Sequence, residues 1–93
     1  MRKIEITKKF KKDYKRTSAE QLSAALDELL QEAIPLLADD KPFPWRYRDH
    51  ALTGDWTDHR ECHLRPDLLL IYRKPDLETL QLVRLGSHSD LGL

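Results

Sequence analysis

Histidine, the side chain best suited to moving protons near neutral pH, is confined to the second half of this chain. Three of the four histidines lie within residues 47–72, and the fourth, His88, is close to the C-terminus. The same stretch holds the only cysteine, Cys62, and an acid, Asp67, directly after Pro66. An unperturbed imidazole titrates at about pH 6.5, so we expect the chemistry of this protein in its second half.

Two proton-transfer groups and a fixed guanidinium are what the transesterification of an RNA strand needs. One group takes the proton of the 2′-hydroxyl, a second protonates the leaving 5′-oxygen, and the cation stabilises the charge that develops on phosphorus. The nucleophile belongs to the substrate, so neither a metal nor a cofactor is required. The candidate residues are His50, His63, Asp67, Arg84 and His88. Residues of these types fit many roles, and taken alone they are weak evidence.

Each candidate also has an ordinary structural interpretation. His50 could be a loop histidine bonded to backbone, His63 could pair with a neighbouring charge, and Asp67 occupies a position that turns favour. His88 would, without other information, be assigned to the surface. Arg84 is harder to dismiss, because a charge in an otherwise apolar strand needs a partner.

A metal site formed by residues that are close in sequence is the competing interpretation. His59, Cys62 and His63 are near neighbours, but in a strand Cys62 would point away from both histidines. Their spacing also matches no common structural zinc pattern. We therefore predict no metal site, and we expect His59 to be an exposed strand residue outside the active site.

Alternating side chains predict the strand that carries His63. A strand over Trp56–Leu64 would place Cys62 on one face and both Glu61 and His63 on the other. We then expect a tight turn at Pro66 and Asp67, a strand over Leu68–Lys74 covered on both faces, a last strand over Glu78–Leu85, and a short tail over Ser87–Leu93.

The first half of the chain supplies the framework. Met1–Thr7 is predicted as a strand, and Thr7 as the N-cap of a helix over Lys8–Arg16 whose polar residues, Asp13 included, face solvent. A second helix should start at Ser18, which has capping-box spacing to Gln21. A broad apolar stripe makes this second helix the main contributor to the core.

The second helix should kink or end at Ile34, because Pro35 follows and removes a backbone donor. Asp39–Trp45 contains two prolines and is predicted to connect the halves without regular structure. The element order β-α-α-β-β-β predicts an α+β fold, a single domain over residues 1–93 with helices packed on an antiparallel sheet. Its second sheet face, where Glu61 and His63 point, should be partly polar.

Composition fits an ordinary globular protein, with 40% hydrophobic and 34% charged residues and no apolar run long enough to cross a membrane. The chain begins without a signal-peptide pattern, and a single cysteine fits a reducing compartment, so we expect a cytoplasmic location. Net charge is zero, yet residues 1–16 carry eight basic side chains and residues 18–40 carry only acidic ones. The basic segment could attract a polyanion, although two solvated helix faces are the simpler interpretation.

Three segments together resemble a known family. They are YRDHALTG at residues 47–54, RECHLRPDLLLIY at residues 60–72 and RLGSHSDL at residues 84–91, with Trp56 between the first two. In order and spacing they are similar to the YafQ branch of the RelE/ParE toxin superfamily. The resemblance implies a RelE/ParE-like fold and a type II toxin–antitoxin toxin that enters the ribosome and cleaves the mRNA codon in the A site.

The same resemblance implies roles for individual residues and for partners. His50, His63, Asp67 and His88 fall on catalytic positions, with His88 as the general acid and the other three sharing base and orienting duties. Arg84, Arg48 and Arg65 are expected to contact RNA phosphates. No cofactor, metal or membrane is implied. The implied partners are the ribosome, mRNA and a DinJ-like antitoxin with a ribbon-helix-helix part, through which alone operator DNA would be contacted.

The chain departs from the family pattern at two positions and in its charge. Gly92 stands where an aromatic residue normally follows Leu91, Leu68 replaces a common tryptophan, and a ribosome-binding toxin would be expected to be basic. Two alternatives therefore stay open. One is a non-nucleolytic inhibitor of the ParE type, which the histidine set disfavours, and the other is a degraded toxin kept as a partner for its antitoxin.

Overall fold

Strands from both halves of the chain meet in one sheet. The computed structural model describes residues 1–20 and 23–93. The strands in these ranges are β1 (Lys3–Ile6), β2 (His50–Ala51), β3 (Arg60–Arg65), β4 (Leu68–Arg73) and β5 (Thr79–Gly86). They form one sheet in the order β1-β5-β4-β3-β2. Strands β2 to β5 pair antiparallel, and β1 joins the edge of β5 in parallel. The predicted α+β architecture is confirmed. The N-terminal strand was predicted, but it pairs parallel in a sheet that was expected to be antiparallel, and the two-residue β2 was not predicted.

The described helices are α1 (Lys8–Glu20), α2 (Ser23–Ala38) and α3 (His88–Leu91). The predicted helix start at Ser18 is wrong, because α1 continues through it to Glu20; the proposed partner Gln21 lies outside the described residues. Of the two outcomes predicted at Ile34, a helix end is wrong, since α2 continues through Pro35, and a kink stays a prediction. Burial of Leu37 offsets the proline: a buried leucine contributes about 1.5–3 kcal/mol, and an interior proline costs about 3 kcal/mol. None of the described helices has the length and apolar character that crossing a bilayer takes.

The main core lies between the helices and one face of the sheet. Its members include Phe10, Leu26, Leu37, Cys62, Leu70, Leu80 and Leu85. Strand β4 is buried from Leu68 to Tyr72, which confirms the prediction of a strand covered on both faces. A smaller cluster of Leu69, Ile71 and Leu91 covers the opposite face, because α3 packs there.

Strand β3 begins later than predicted. The expected start at Trp56 is wrong, because Trp56 ends a short 3₁₀ turn and Asp58 has a left-handed backbone with φ of 70°. The amide of His59 donates to the carbonyl of Trp56 at 3.0 Å and closes this turn. From Glu61 onward the predicted alternation is confirmed, with Cys62 buried in the main core and Glu61 and His63 on the opposite face.

Beyond the end of β1, side chains of helix α1 form hydrogen bonds with the backbone at the edge of β5. The pairing of β1 with β5 stops at Ile6 opposite Leu82. Beyond that point the amide of Leu85 donates to Asp13 at 3.0 Å, and Arg16 donates to the carbonyl of Leu85 at 3.1 Å. The prediction that Asp13 faces solvent is therefore wrong: the residue is 2% exposed and acts in place of a paired strand.

Candidate active site

The face of the sheet opposite the helices α1 and α2 brings the four predicted catalytic residues together. His50 comes from β2, His63 from β3, Asp67 from the turn after β3, and His88 from the start of α3. The ring centroid of His63 lies 6.3 Å from that of His50 and 5.5 Å from that of His88. His63 therefore sits between the other two rings, with β2 on one side and the end of β5 on the other.

Glu61 lies inside this group and was not among the predicted site residues. Its side chain is buried, and Oε1 lies 3.0 Å from Nε2 of His63 and 3.8 Å from Nε2 of His50. Among the described residues its ion-pair partners are these two imidazoles, with no arginine or lysine. The sequence signal for its role was the alternation of β3, which places Glu61 and His63 on the same face.

Asp67 holds His88 by two contacts to the same oxygen. Its Oδ1 accepts from the backbone N of His88 at 2.9 Å and lies 2.7 Å from Nδ1 of the ring. These backbone and side-chain hydrogen bonds hold the pKa of Asp67 below its usual value. An ionised carboxylate only accepts, so Nδ1 of His88 carries a hydrogen and Nε2 is left to face a ligand.

A capping box fixes the backbone around His88. The hydroxyl of Ser87 accepts from the amide of Asp90 at 3.0 Å, and the Asp90 carboxylate accepts from the amide of Ser87 at 3.1 Å. The predicted short tail thus contains α3, and Gly92, with φ of 71°, ends it. His88 is consequently part of an ordered turn of helix.

The backbone carbonyl of Arg48 orients His50. Nδ1 of the ring lies 2.8 Å from this oxygen and must carry the hydrogen, which leaves Nε2 with its lone pair directed to the site. Asp49 anchors the same segment, because it accepts from Arg60 on β3 at 2.9 Å and from the hydroxyl of Tyr72 on β4. Burial and the neighbouring Asp49 raise the pKa of the Tyr72 phenol, so it stays a donor.

Arg84 has an acidic partner, Asp13, as the apolar neighbours of Arg84 in its strand predicted. Its Nε and Nη2 donate to Asp13 at 2.6 and 3.2 Å, and its side chain is 20% exposed. Burial raises the pKa of Asp13, but the hydrogen bonds from Arg84 and Leu85 and the charges of Arg84 and Arg16 outweigh burial and hold it below its usual value. These bonds use two of the five N–H donors of Arg84, so three remain for another acceptor.

Arg48 and Arg65 line a cleft of about 290 Å³ that also borders His63. A third arginine of this cleft, Arg46, pairs with Glu32. Arg48 and Arg65 are exposed and have no ion-pair partner in the part of the chain that the structure describes. The guanidinium groups of Arg48 and Arg65 therefore lie beside His63 without an ion-pair partner among the described residues. These are two of the arginines for which the family resemblance implied phosphate contacts.

Cys62 lies on the face of β3 that the predicted alternation gave it. Cys62 is fully buried on the core face, opposite to His63, and burial raises its pKa. The fold instead brings three other donors together: ligand atoms of Glu61, His63 and His88 all lie within 4.8 Å of one another. One carboxylate and two imidazoles form a donor set that suits zinc, copper or nickel. The sequence missed this set because His88 is far away along the chain.

Comparison with known proteins gives one consistent result. The family described as "Bacterial toxin of type II toxin-antitoxin system, YafQ" matches residues 2–92. The chain is 32% identical to a putative toxin YafQ of Haemophilus influenzae, covering 98% of this chain and 92% of that protein. It is 33% identical to an mRNA interferase toxin YafQ of Escherichia coli, covering 97% and 95% of the two chains.

Solved structures agree with the sequence relatives. A copper-bound mutant toxin from Helicobacter pylori is similar with a TM-score of 0.89 and 40% identity over 98% of this chain and 99% of that one. A metal-bound toxin from the same organism has a TM-score of 0.86 and 47% identity with the same coverage. The E. coli DinJ–YafQ complex has a TM-score of 0.83 and 33% identity over 98% of both chains.

Proposed function

This chain belongs to the YafQ family of bacterial type II toxin–antitoxin toxins, and we propose that it is a ribosome-dependent endoribonuclease that cleaves mRNA in the A site. The observation that carries the proposal is the row of His50, His63 and His88, in which hydrogen bonds to Arg48 and Asp67 fix the two outer rings. A phosphodiester beside this row would meet one proton acceptor and one proton donor. The related E. coli protein is named an mRNA interferase toxin, which supports the same reaction class.

The reaction follows from the hydrogen positions of the outer rings. Nε2 of His50 takes the proton of a ribose 2′-hydroxyl, and the resulting oxygen attacks the adjacent phosphorus. The bond from phosphorus to the 5′-oxygen breaks, and protonated His88 gives that oxygen the hydrogen of its Nε2. The products are a 2′,3′-cyclic phosphate and a 5′-hydroxyl, so atoms and charges balance. The three free N–H groups of Arg84 are available to the phosphate oxygens.

Partners follow from the family. YafQ of E. coli was solved together with DinJ, and we propose that this chain binds a DinJ-like ribbon-helix-helix antitoxin that makes all contact with operator DNA. Arg48 and Arg65 would contact phosphates that flank the scissile bond, because they lie beside His63 and are unpaired among the described residues. The proposed target is translating mRNA, which places the protein in the cytoplasm.

Mapping the 5′ ends of mRNA in cells that express the chain tests the main proposal. Wild type should produce cuts within translated codons, and His88→Ala should lose them because the leaving oxygen is no longer protonated. We expect a loss of about 10²-fold or more, the usual contribution of a positioned acid. His59→Ala is the matched control, since this histidine bonds to the carbonyl of Thr57 outside the row. Absence of cuts from a folded, antitoxin-binding wild type would instead favour a ParE-like target or a degraded toxin.

The cluster of Glu61, His63 and His88 also supports a second function, the binding of a transition-metal ion. The donor set fits such an ion, and two similar H. pylori toxins were solved with metal. A bound ion would supply Lewis acidity, but it would occupy imidazole nitrogens that the proposed reaction uses. We therefore propose that cleavage is independent of metal and that zinc or copper inhibits it.

Chelation and titration separate these two effects of a metal. Cleavage should be unchanged when the toxin is treated with EDTA and separated from the chelator before it is added to ribosomes, and it should fall when zinc is added. The ring signals of His63 and His88 should shift in NMR spectra during the zinc titration, while those of His59 stay in place. Loss of cleavage after EDTA, restored by zinc, would show that the reaction needs the ion and would overturn the proposal.

A further inference from the structure

We propose that Asp13 and Arg16 of α1 are positioning residues for cleavage, although neither belongs to the histidine row. They hold Arg84 and the helix that carries His88, and so connect α1 with both ends of the expected reaction. This inference rests on the proposed nuclease function. Four side chains make up the connection, which we name the α1 clamp: Asp13, Arg16, Arg84 and Asp90.

Asp13 is the centre of the α1 clamp. Its two oxygens accept from Nε and Nη2 of Arg84 at 2.6 and 3.2 Å, from Nη1 of Arg16 at 3.1 Å and from the amide of Leu85 at 3.0 Å. A carboxylate that is 2% exposed requires such partners, because an unpaired buried charge is very costly. The guanidinium of Arg84 is consequently fixed in one orientation by a residue that lies 71 positions away in the sequence.

Arg16 connects the α1 clamp with α3. Its Nη2 donates to the carbonyl of Leu85 at 3.1 Å and lies 3.6 Å from Oδ2 of Asp90. This oxygen is the one that accepts from the amide of Ser87 in the capping box of α3. Arg16 therefore contacts the strand before α3 and the first turn of α3 with the same nitrogen.

Gly86 allows this contact. A Cβ atom at Gly86 would lie 2.9 Å from Nη2 of Arg16, closer than such atoms approach in proteins, and 3.0 Å from Cβ of Asp90, which is a crowded contact. The absence of a side chain lets the guanidinium lie against the backbone just before His88. The α1 clamp thus accounts for a glycine in the segment that carries the family resemblance.

Helix α3 depends on contacts of this kind, because a four-residue helix is not stable alone. Leu91 packs it against the sheet, and Asp67 holds His88 from one side. The bond from Arg16 to Asp90 holds the other side of the same turn. Loosening α1 should therefore displace His88 relative to His63 even though no contact of the row itself is removed.

Asp13→Asn tests the inference, because it keeps the shape of the side chain and removes its charge. We expect kcat to fall by about 10- to 100-fold with KM changed less than about twofold, since misplacing a reacting group by about 1 Å can cost 10²-fold. Glu20→Gln is the matched control, an exposed acid on the same helix with the same change of charge. A folded Asp13→Asn protein with wild-type kcat would overturn the proposal.

NMR provides a readout that does not depend on cleavage. In Asp13→Asn the amide signals of α3 and the ring signals of His88 should shift, and in Glu20→Gln they should not. Arg16→Gln, at a partly exposed position, replaces Asp13→Asn if that variant fails to fold. If the wild type cleaves no mRNA, the proposed function fails by itself. Unmoved α3 signals in either clamp variant would overturn the α1 clamp whatever the activity.

Discussion

The position of Glu61 sets the chemical character of the histidine row. It is a carboxylate, 4% exposed, whose ion-pair partners among the described residues are His50 and His63. A carboxylate that accepts from one ring nitrogen fixes the tautomer and the orientation of that ring. Asp67 does this for His88. The row therefore consists of three imidazoles with three different acceptors: the carbonyl of Arg48 for His50, Glu61 for His63 and Asp67 for His88.

Glu61→Gln should slow cleavage strongly and leave substrate binding nearly unchanged. The amide keeps the size of the side chain but offers a donor as well as an acceptor, so the ring of His63 loses its fixed orientation, whereas His50 keeps its bond to the carbonyl of Arg48. We expect kcat to fall by about 10- to 100-fold, by analogy with the range found when the partners that orient metal-binding histidines are removed. Single-turnover cleavage and the ring signals of both histidines in NMR spectra measure the change.

Glu78→Gln is the control for Glu61→Gln, because Glu78 is exposed and lies in the turn before β5. It should cleave as the wild type does. Full activity in a folded Glu61→Gln protein would mean that His63 holds its geometry without the acid. The role that we assign to Glu61 would then be wrong.

Among the elements, those with clear periodicity and caps were predicted well from the sequence. The apolar run of β4 indicated burial on both faces, and the alternation of β3 placed Glu61 and His63 on one face. Thr7 is also confirmed as the cap of α1, since its hydroxyl accepts from the amide of Phe10 at 3.0 Å. In each case the signal lies within a few neighbouring residues, which is the range over which such patterns act.

Elements whose bounds depend on distant contacts were predicted poorly. Helix α1 continues past Ser18 to Glu20, and α2 continues past Pro35, where Leu37 and Ala38 are buried in the core. Helix α3 is too short to show periodicity, although the spacing of Ser87 and Asp90 is that of a capping box. The sequence contained that signal, and it was missed.

The residues of the candidate site also fall into two groups, those that sequence motifs predict and those that meet only after folding. His50, His63, Asp67 and His88 were predicted through family motifs, which preserve spacing along the chain, and the fold brings them together. Asp13, the partner of Arg84, was not found, because the two lie on α1 and β5 and meet only after folding. The apolar neighbours of Arg84 predict that this charge needs a partner, but they do not predict which residue that partner is.

Gly92 illustrates how one departure from the family pattern acts on an element. Its backbone has φ of 71°, and the next amide, that of Leu93, donates to the carbonyl of His88 at 2.9 Å. A residue with a side chain pays about 1–2 kcal/mol in this left-handed conformation. Glycine here ends α3 directly behind His88, and the aromatic residue of the family would not suit the same helix end.

At the scale of the whole molecule, the lysines of α1 and the histidine row lie on opposite faces of the sheet. Of the eight basic residues in positions 1–16, Arg2 and Arg16 are engaged by acids, whereas the six lysines have no ion-pair partner among the described residues. Most of these lysines project from α1, on the helical face of the sheet, and the histidine row lies on the other face. The lysines therefore do not contact the scissile phosphate. The net charge of zero is the sum of this strongly basic helix and the acidic residues elsewhere in the chain.

We expect the α1 lysines to strengthen association with the ribosome without taking part in cleavage. Lys8 and Lys12 are exposed and four residues apart, so they share one side of α1. The double variant Lys8→Gln/Lys12→Gln should raise KM and leave kcat unchanged. Its KM should also depend less on salt, with the slope of log K against log salt reduced by about 0.7 for each lost phosphate contact.

Cleavage on purified ribosomes across a series of potassium chloride concentrations measures this slope. Lys41→Gln, an exposed lysine in the connection after α2, is the control for loss of positive charge. If both proteins show the wild-type slope, the α1 lysines do not contact ribosomal RNA, and the basic helix is only a solvated face. A fall in kcat in the double variant would instead show that these lysines act on the cleavage step, and the role that we assign to them would be wrong.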